Sequence, residues 1–242
     1  MGGLMMSHAP GDASPSLTIA IDGPSASGKG TLARRLGARL GYAVLDTGLL
    51  YRAVGKMVLD RGQDPSDPDA AAVAARGLAT LATAARLSDL ALRSDAVGTA
   101  ASKVAAYAQV RAALVDFQRA FAARPPPLPD GRRAGGAILD GRDIGTVICP
   151  EADVKLYVNA NLAERARRRA QELRLSGHAV PKHEVLAAMQ ERDARDAGRA
   201  VAPLHPAPDA FIVDSSHLGP GELLERALAI VRGTIVRRAC SI

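Results

Sequence analysis

Tryptophan is absent from this 242-residue chain, which has only three phenylalanines and four tyrosines. So few aromatics leave little for a surface that stacks nucleic-acid bases, and no long basic run compensates. They also leave alanine, leucine and valine to fill the core. The two cysteines, Cys149 and Cys240, are far apart in the sequence, and neither has a Cys or His at ligand spacing. A zinc site or disulfide framework is therefore not expected, and a reducing cytoplasm is the default. No apolar run approaches the roughly 20 residues a membrane helix needs. Residues 1–16 are rich in Gly, Pro and Ser and lack the basic start and apolar centre of a signal peptide, so they read as a disordered tail. Internal repeats are missing as well.

What the chain does have is a hydrophobic content of 48%, enough for a full core, and a net charge of +6. Its basic residues are overwhelmingly arginine, 26 of 31. Guanidinium groups bind phosphate through a planar fork of donors, although solvated helix faces would give the same composition.

Short buried strands alternate with helices. "LTIAIDG", "YAVLDTG", "AILDG", "VKLYVNA" and "AFIVDSS" read as strands. Helices are predicted over 29–40, 49–61, 70–86, 96–123, 162–175, 182–197 and 221–237, and a Pro-rich loop over 124–136. The pattern predicts an α/β fold: a three-layer sandwich around a parallel five-stranded sheet, with ligands at the carboxyl ends of its strands.

The first strand runs into Gly23-Pro24-Ser25-Ala26-Ser27-Gly28-Lys29-Gly30-Thr31 and then a helix. Strand, glycine-rich loop, lysine and helix N-terminus together form a phosphate cradle: backbone N–H groups and the helix dipole face an anion, and the lysine adds a mobile charge. An ordinary glycine-rich turn is the competing reading. Gly30 stands where Ser or Thr is usual for direct Mg²⁺ contact, so the nearest hydroxyl is Thr31.

Three further clusters concentrate charge. "LDTGLLYR" carries Asp46, Thr47 and Arg52, and "LDGRDIGT" carries Arg142 and Asp143. In "ERDARDAGRAVAPL", Arg192, Arg195, Asp196 and Arg199 fall on one helical face. Turn formation and surface ion pairing are the plainer explanations for each. Three arginines on one face, though, repel one another unless an anion such as a bridging triphosphate lies between them.

Taken in order, "IDGPSASGKGT", "LDTGLLYR", "AASKVAAYAQVRAAL", "DGRDIGTV" and "ERDARDAGRAVAPL" resemble the blocks of the bacterial cytidylate kinase family, from Leu17 to the final helix. The resemblance implies a P-loop nucleoside-monophosphate kinase that transfers the γ-phosphoryl of ATP to CMP or dCMP, with Mg²⁺ held mainly by water and nucleotide. It implies that residues 23–31 hold ATP, and that Thr47, Arg52, Ser102, Arg111, Arg142, Asp143, Asp196 and Arg199 bind CMP. Lys29, Arg142, Arg192 and Arg199 are the expected catalytic charges. It further implies a cytoplasmic monomer with a core of 17–46, 137–161 and 201–242, a monophosphate-binding region of 47–136 and a lid near 162–200. Neither a nucleic acid nor a membrane is an expected partner. Two departures stand out: the segment before "ASKVAAY" is short, and the Pro-rich loop is long. Another small-molecule P-loop kinase, of UMP or shikimate type, or a non-catalytic nucleotide switch are the alternatives.

Overall fold

The computed structural model describes residues 17–81, 87, 89–175, 177 and 180–239. The expected tail (1–16) and the end of the third expected helix (82–86) lie outside the described residues.

Strands β1 (Leu17–Asp22), β2 (Ala43–Asp46), β3 (Gly136–Gly141), β4 (Val154–Asn159) and β5 (Phe211–Asp214) form one sheet in the order β2-β3-β1-β4-β5. All neighbours are parallel. The inner strands are covered on both faces, which is why their sequences are nearly unbroken apolar runs; every position of β3 is buried, whereas the edge strand β5 buries only Val213. One face packs under α1 (Lys29–Leu40) and the C-terminal helix, Pro220–Ala239, through Ile19, Ile21, Leu32, Leu36, Leu156, Leu228 and Val231. The other face carries Ala20, Leu139, Ile144 and Ile148. Gly41 ends α1 in the left-handed conformation, φ 68°, and its N–H closes on Gly37 O.

A helical unit of α2 (Thr47–Asp60), α3 (Pro68–Leu81), α4 (Asp95–Val104) and α5 (Ala108–Ala123) builds a core of its own around Leu50, Val54, Leu78, Val104 and Leu114. A smaller cluster of Ala166, Leu173, Val185 and Met189 joins α6 (Leu162–Leu175) to α7 (Lys182–Ala197); Pro220–Ala239 is α8. Among the described residues, no helix is long and apolar enough to cross a membrane.

The structure corrects two boundaries. Helix α2 begins at Thr47, directly after β2, so Thr47 is helical and its hydroxyl donates back to Asp140 O at 2.8 Å. The expected single helix over 96–123 is two helices, α4 and α5, broken over Ala105–Tyr107. Tyr107 adopts an extended conformation there, φ −85° and ψ 128°.

The sheet order sets β1 beside β3 with Ile21 opposite Asp140 and Asp22 opposite Gly141. The glycine-rich loop after β1 and the Arg142–Asp143 pair after β3 therefore emerge side by side.

Candidate active site

Backbone conformation shapes the loop. Gly23 has φ 150°, and a Cβ there would lie 2.0 Å from Val158 O, so no side chain fits against β4. Gly28 caps α1 at φ 92°. Ala26, φ 59°, is one of only two non-glycine residues in the left-handed region among the described residues. The loop's carbonyls are turned away from the cleft. Ser25 O accepts from Arg165 Nη1 at 3.3 Å, and Ser27 O from Ser215 Oγ at 2.7 Å and Arg168 Nη1 at 3.3 Å.

On the open side of the loop is a cavity of about 250 Å³. Ala26, Gly28, Lys29, Gly30 and Thr31 line it, whereas Gly23, Pro24, Ser25 and Ser27 do not. Lys29 Nζ lies 3.4 Å from Asp140 Oδ1. Burial, then the neighbouring Arg142 charge, lower the Lys29 pKa, partly offset by Asp140 and Asp46. A Cβ on Gly30 would stand 3.0 Å from Asp140 Oδ2, so the missing side chain lets the Asp140 carboxylate approach the loop. The Thr31 hydroxyl accepts from Arg34 Nη2 at 3.3 Å.

A second cavity, about 60 Å³, adjoins the first. Thr47, Arg52, Ser102, Arg111, Arg142, Asp143, Asp196 and Arg199 all line it, although they come from five separate segments. Both cavities share Arg52, Arg142 and Arg192 as a common wall. Together they are lined by eight basic and five acidic side chains, an excess of positive charge suited to polyanions.

Inside the second cavity the charges are paired. Arg111 bonds to Asp143, lies 5.3 Å over the Tyr51 ring, and donates to Ala105 O at 3.1 Å, a carbonyl at the helix break. Asp196 accepts from Arg142 Nε at 3.0 Å and from Arg199. Burial works to raise the Asp196 pKa, but Arg142, Arg199 and Arg192 outweigh it and hold the carboxyl below its ordinary range. The repulsion expected on this helical face is thus answered first by Asp196 rather than by a bound triphosphate. Arg192 is the exception: its Nε is buried without a hydrogen-bond partner among the described residues, and burial beside Arg142 pushes its pKa down to about 10. It is charged at neutral pH, with Asp196 as the acidic neighbour that acts on it and Nε left without a bond. Arg195 lines neither cavity, but its Nε donates to the lining residue Ser102 at Oγ, 3.3 Å, and it pairs with Glu191. Arg52 donates to Leu92 O at 2.7 Å on the 3₁₀ turn Leu90–Arg93.

With the geometry defined, comparison with known proteins is decisive. The family model described as "Cytidylate kinase" matches residues 19–233. The chain belongs to the cytidylate kinase family. A protein of Rhodospirillum rubrum named cytidylate kinase is 55% identical over 215 residues, covering 89% of this chain and 97% of that protein. Its namesakes in Paramagnetospirillum magneticum and Granulibacter bethesdensis are each 54% identical, covering 89% of this chain and 98% and 97% of their own lengths.

Members of this family act on nucleotides, so a metal site bears on the reading. No group of three or more His, Cys, Asp or Glu among the described residues could cage an ion. Asp140, Asp46 and the Thr31 hydroxyl nevertheless face the phosphate cavity together. Mg²⁺ bound to nucleotide usually keeps several waters and needs only one or two protein carboxylates, so this sparse oxygen set fits it.

Several lining residues escaped the sequence reading. Asp140 closes an apolar strand and faces the loop cavity, as do Arg34, Arg93 and Glu172. Asp22 is buried at the end of β1, where desolvation pushes its carboxyl up to about 6. The readable signal was an acidic residue closing an apolar strand, which must find partners in the fold.

Proposed function

We propose that the protein transfers the γ-phosphoryl group of ATP to the α-phosphate of CMP or dCMP, giving CDP or dCDP and ADP. The observation that carries the reading is the common wall: Arg52, Arg142 and Arg192 separate a phosphate cavity on the glycine-rich loop from a small polar pocket. A donor phosphate and an acceptor phosphate would meet there.

In this reading the loop amides and Lys29 hold the ATP phosphates, while Arg52 and Arg142 grip the acceptor phosphate. Phosphoryl transfer asks the protein for positioning and charge neutralisation rather than covalent chemistry, and the acceptor oxygen is already an anion, so no general base is needed. Arg192 and Arg199 would stabilise charge spread over the transferring group. Mg²⁺, held by Asp140, Asp46 and the Thr31 hydroxyl largely through water, would supply further neutralisation of the donor phosphates.

The Arg111–Asp143 pair sets a guanidinium donor beside a carboxylate acceptor. Cytosine offers the complement, an amine donor beside acceptors, whereas uracil turns a carbonyl toward the carboxylate and is repelled. A 60 Å³ pocket is too small for a nucleoside, so its walls would have to part, and α7, which carries Arg192 and Asp196 and is joined to α6, is the element that would swing out. Arg169–Asp95 and Arg195–Ser102 tie these helices to α4 in the closed form. Closure over both nucleotides would exclude water that otherwise hydrolyses ATP. The segments 47–136 and about 162–200 would then be the monophosphate-binding and lid regions, in a cytoplasmic monomer acting on free nucleotides.

A coupled assay of ADP release with CMP, dCMP, UMP and AMP tests the proposal. CMP or dCMP is expected to be the fastest acceptor. Faster turnover of UMP, or ATP binding with no acceptor-dependent ADP release, rejects it.

A further inference from the structure

The turn that carries Asp143 is a single π turn, Ile144–Ile148, with Cys149 N–H bonded to Ile144 O at 2.7 Å. Such turns are rare and stand where regular helix geometry is overruled. Two side chains from other elements overrule it here. At its start, Asp22 Oδ1 accepts from the Ile144 N–H and Oδ2 from the Gly145 N–H, each at 2.8 Å. At its end, Arg119 on α5 donates to Ile148 O at 3.1 Å and to Val147 O at 3.0 Å. Asp22 is only 5% exposed and is the residue immediately before Gly23 of the phosphate loop.

The two-pronged bond fixes the peptide planes directly after Asp143, and with them the direction of that carboxylate. Nothing else can take over the task, because the first amides of so short a turn have no partners within it. The arrangement is also costly. Desolvation raises the Asp22 pKa to about 6 in spite of the Gly145 and Ile144 amides, which lower it, and the nearby Asp143 and Asp140 charges add to the rise. An apolar residue at this strand end would avoid that cost, so the carboxylate is there for its acceptors.

We infer that Asp22 is a positioning residue for base recognition: it sits in the donor-phosphate motif but acts on the acceptor, aiming Asp143 at the pyrimidine through the Ile144 and Gly145 amides. The inference rests on the CMP kinase reading above. It predicts a separation of effects that plain structural support would not produce. Asn in place of Asp22 keeps the shape but leaves one oxygen, so one of the two amides loses its acceptor. The loop residues that face ATP are untouched.

The test is D22N in the full chain, assayed for kcat and KM with ATP, CMP and UMP beside a thermal melt. KM for CMP should rise about tenfold and the preference for CMP over UMP should fall, with KM for ATP within twofold of wild type. Unchanged CMP kinetics, or ATP and CMP constants worsening in parallel, overturns the inference. If D22N does not fold, Gly145→Ala decides. Its methyl would meet Lys155 Cδ at 3.1 Å and Asp22 Oδ2 at 3.5 Å, displacing the same turn with Asp22 intact. The same split is expected, and its absence is equally fatal. Failure of wild type to phosphorylate CMP would refute the parent reading instead, so the two failures are distinguishable.

Discussion

Replacing Asp196 by Asn should turn a stabilising charge cluster into a repulsive one. Asp196 is 1% exposed and takes bonds from Arg142 and Arg199, whose side chains are 15% and 4% exposed, with the Arg192 charge also acting on it from the same helix. Removing one partner of a buried ion pair typically costs about 3–5 kcal/mol, because the remaining charges stay desolvated. Asn retains one acceptor, which favours the lower end, about 3 kcal/mol. For a chain of this size each kcal/mol shifts the midpoint by about 2–4 °C, so Tm should fall by roughly 6–12 °C. The pH dependence fixes the sign. The folded Asp196 pKa lies below the ordinary 3.8, so its contribution is fully present above that value and is lost as pH falls through the folded pKa. Thermal melts followed by circular dichroism, from pH 7.5 down to 3, should show a gap between wild type and D196N that is constant near neutrality and narrows in acid. A variant melting within 2 °C of wild type at pH 7.5, or a gap that widens in acid, refutes this account of the cluster.

Lys29→Ala should lower kcat by on the order of 10²–10³, the scale of losing one well-placed charge donor, as read by single-turnover transfer from labelled ATP. Asp143→Asn should raise KM for CMP by roughly 10–100-fold, on about 1–3 kcal/mol for a specific base contact, and bring CMP and UMP closer together in steady-state assays. Gly55→Val tests the helix seam behind the pocket. Any Cβ at Gly55 would meet Ala100 Cβ and the Ala101 nitrogen at 2.9 Å, so α2 and α4 must part. Overpacking of this kind costs about 1–3 kcal/mol in urea unfolding, and KM for CMP should rise because Arg52 and Ser102 ride on the separated helices.

The five strands and the phosphate loop were legible because each depends on local pattern: an apolar run, a glycine where the chain turns, a helix start. The eight pocket residues were legible through ordered blocks of sequence. The helix break at Ala105–Tyr107 was not. "AASKVAAYAQV" contains no Gly or Pro and has unbroken helical propensity, yet a tertiary demand wins: Arg111 takes the Ala105 carbonyl that a continuous helix would have consumed. The partners of Asp22 were equally invisible, since Ile144 and Gly145 lie far along the chain and meet it only because β1 and β3 are neighbours. Propensity reports what a segment prefers alone, and both misses are places where a distant group set the local conformation.

The phosphate loop is fastened by its carbonyls to α6. Arg165, which grips Ser25 O, is also locked in a forked bond to Asp193 on α7, at 3.1 and 2.6 Å. One guanidinium therefore tethers the glycine-rich loop to the very helix that carries Arg192 and Asp196. If the proposed function holds, that shared guanidinium would make the two sites answer to each other: a displacement of α7 would strain the bond to Ser25 O, so the arrival of an acceptor would be felt by the loop proposed to hold the donor.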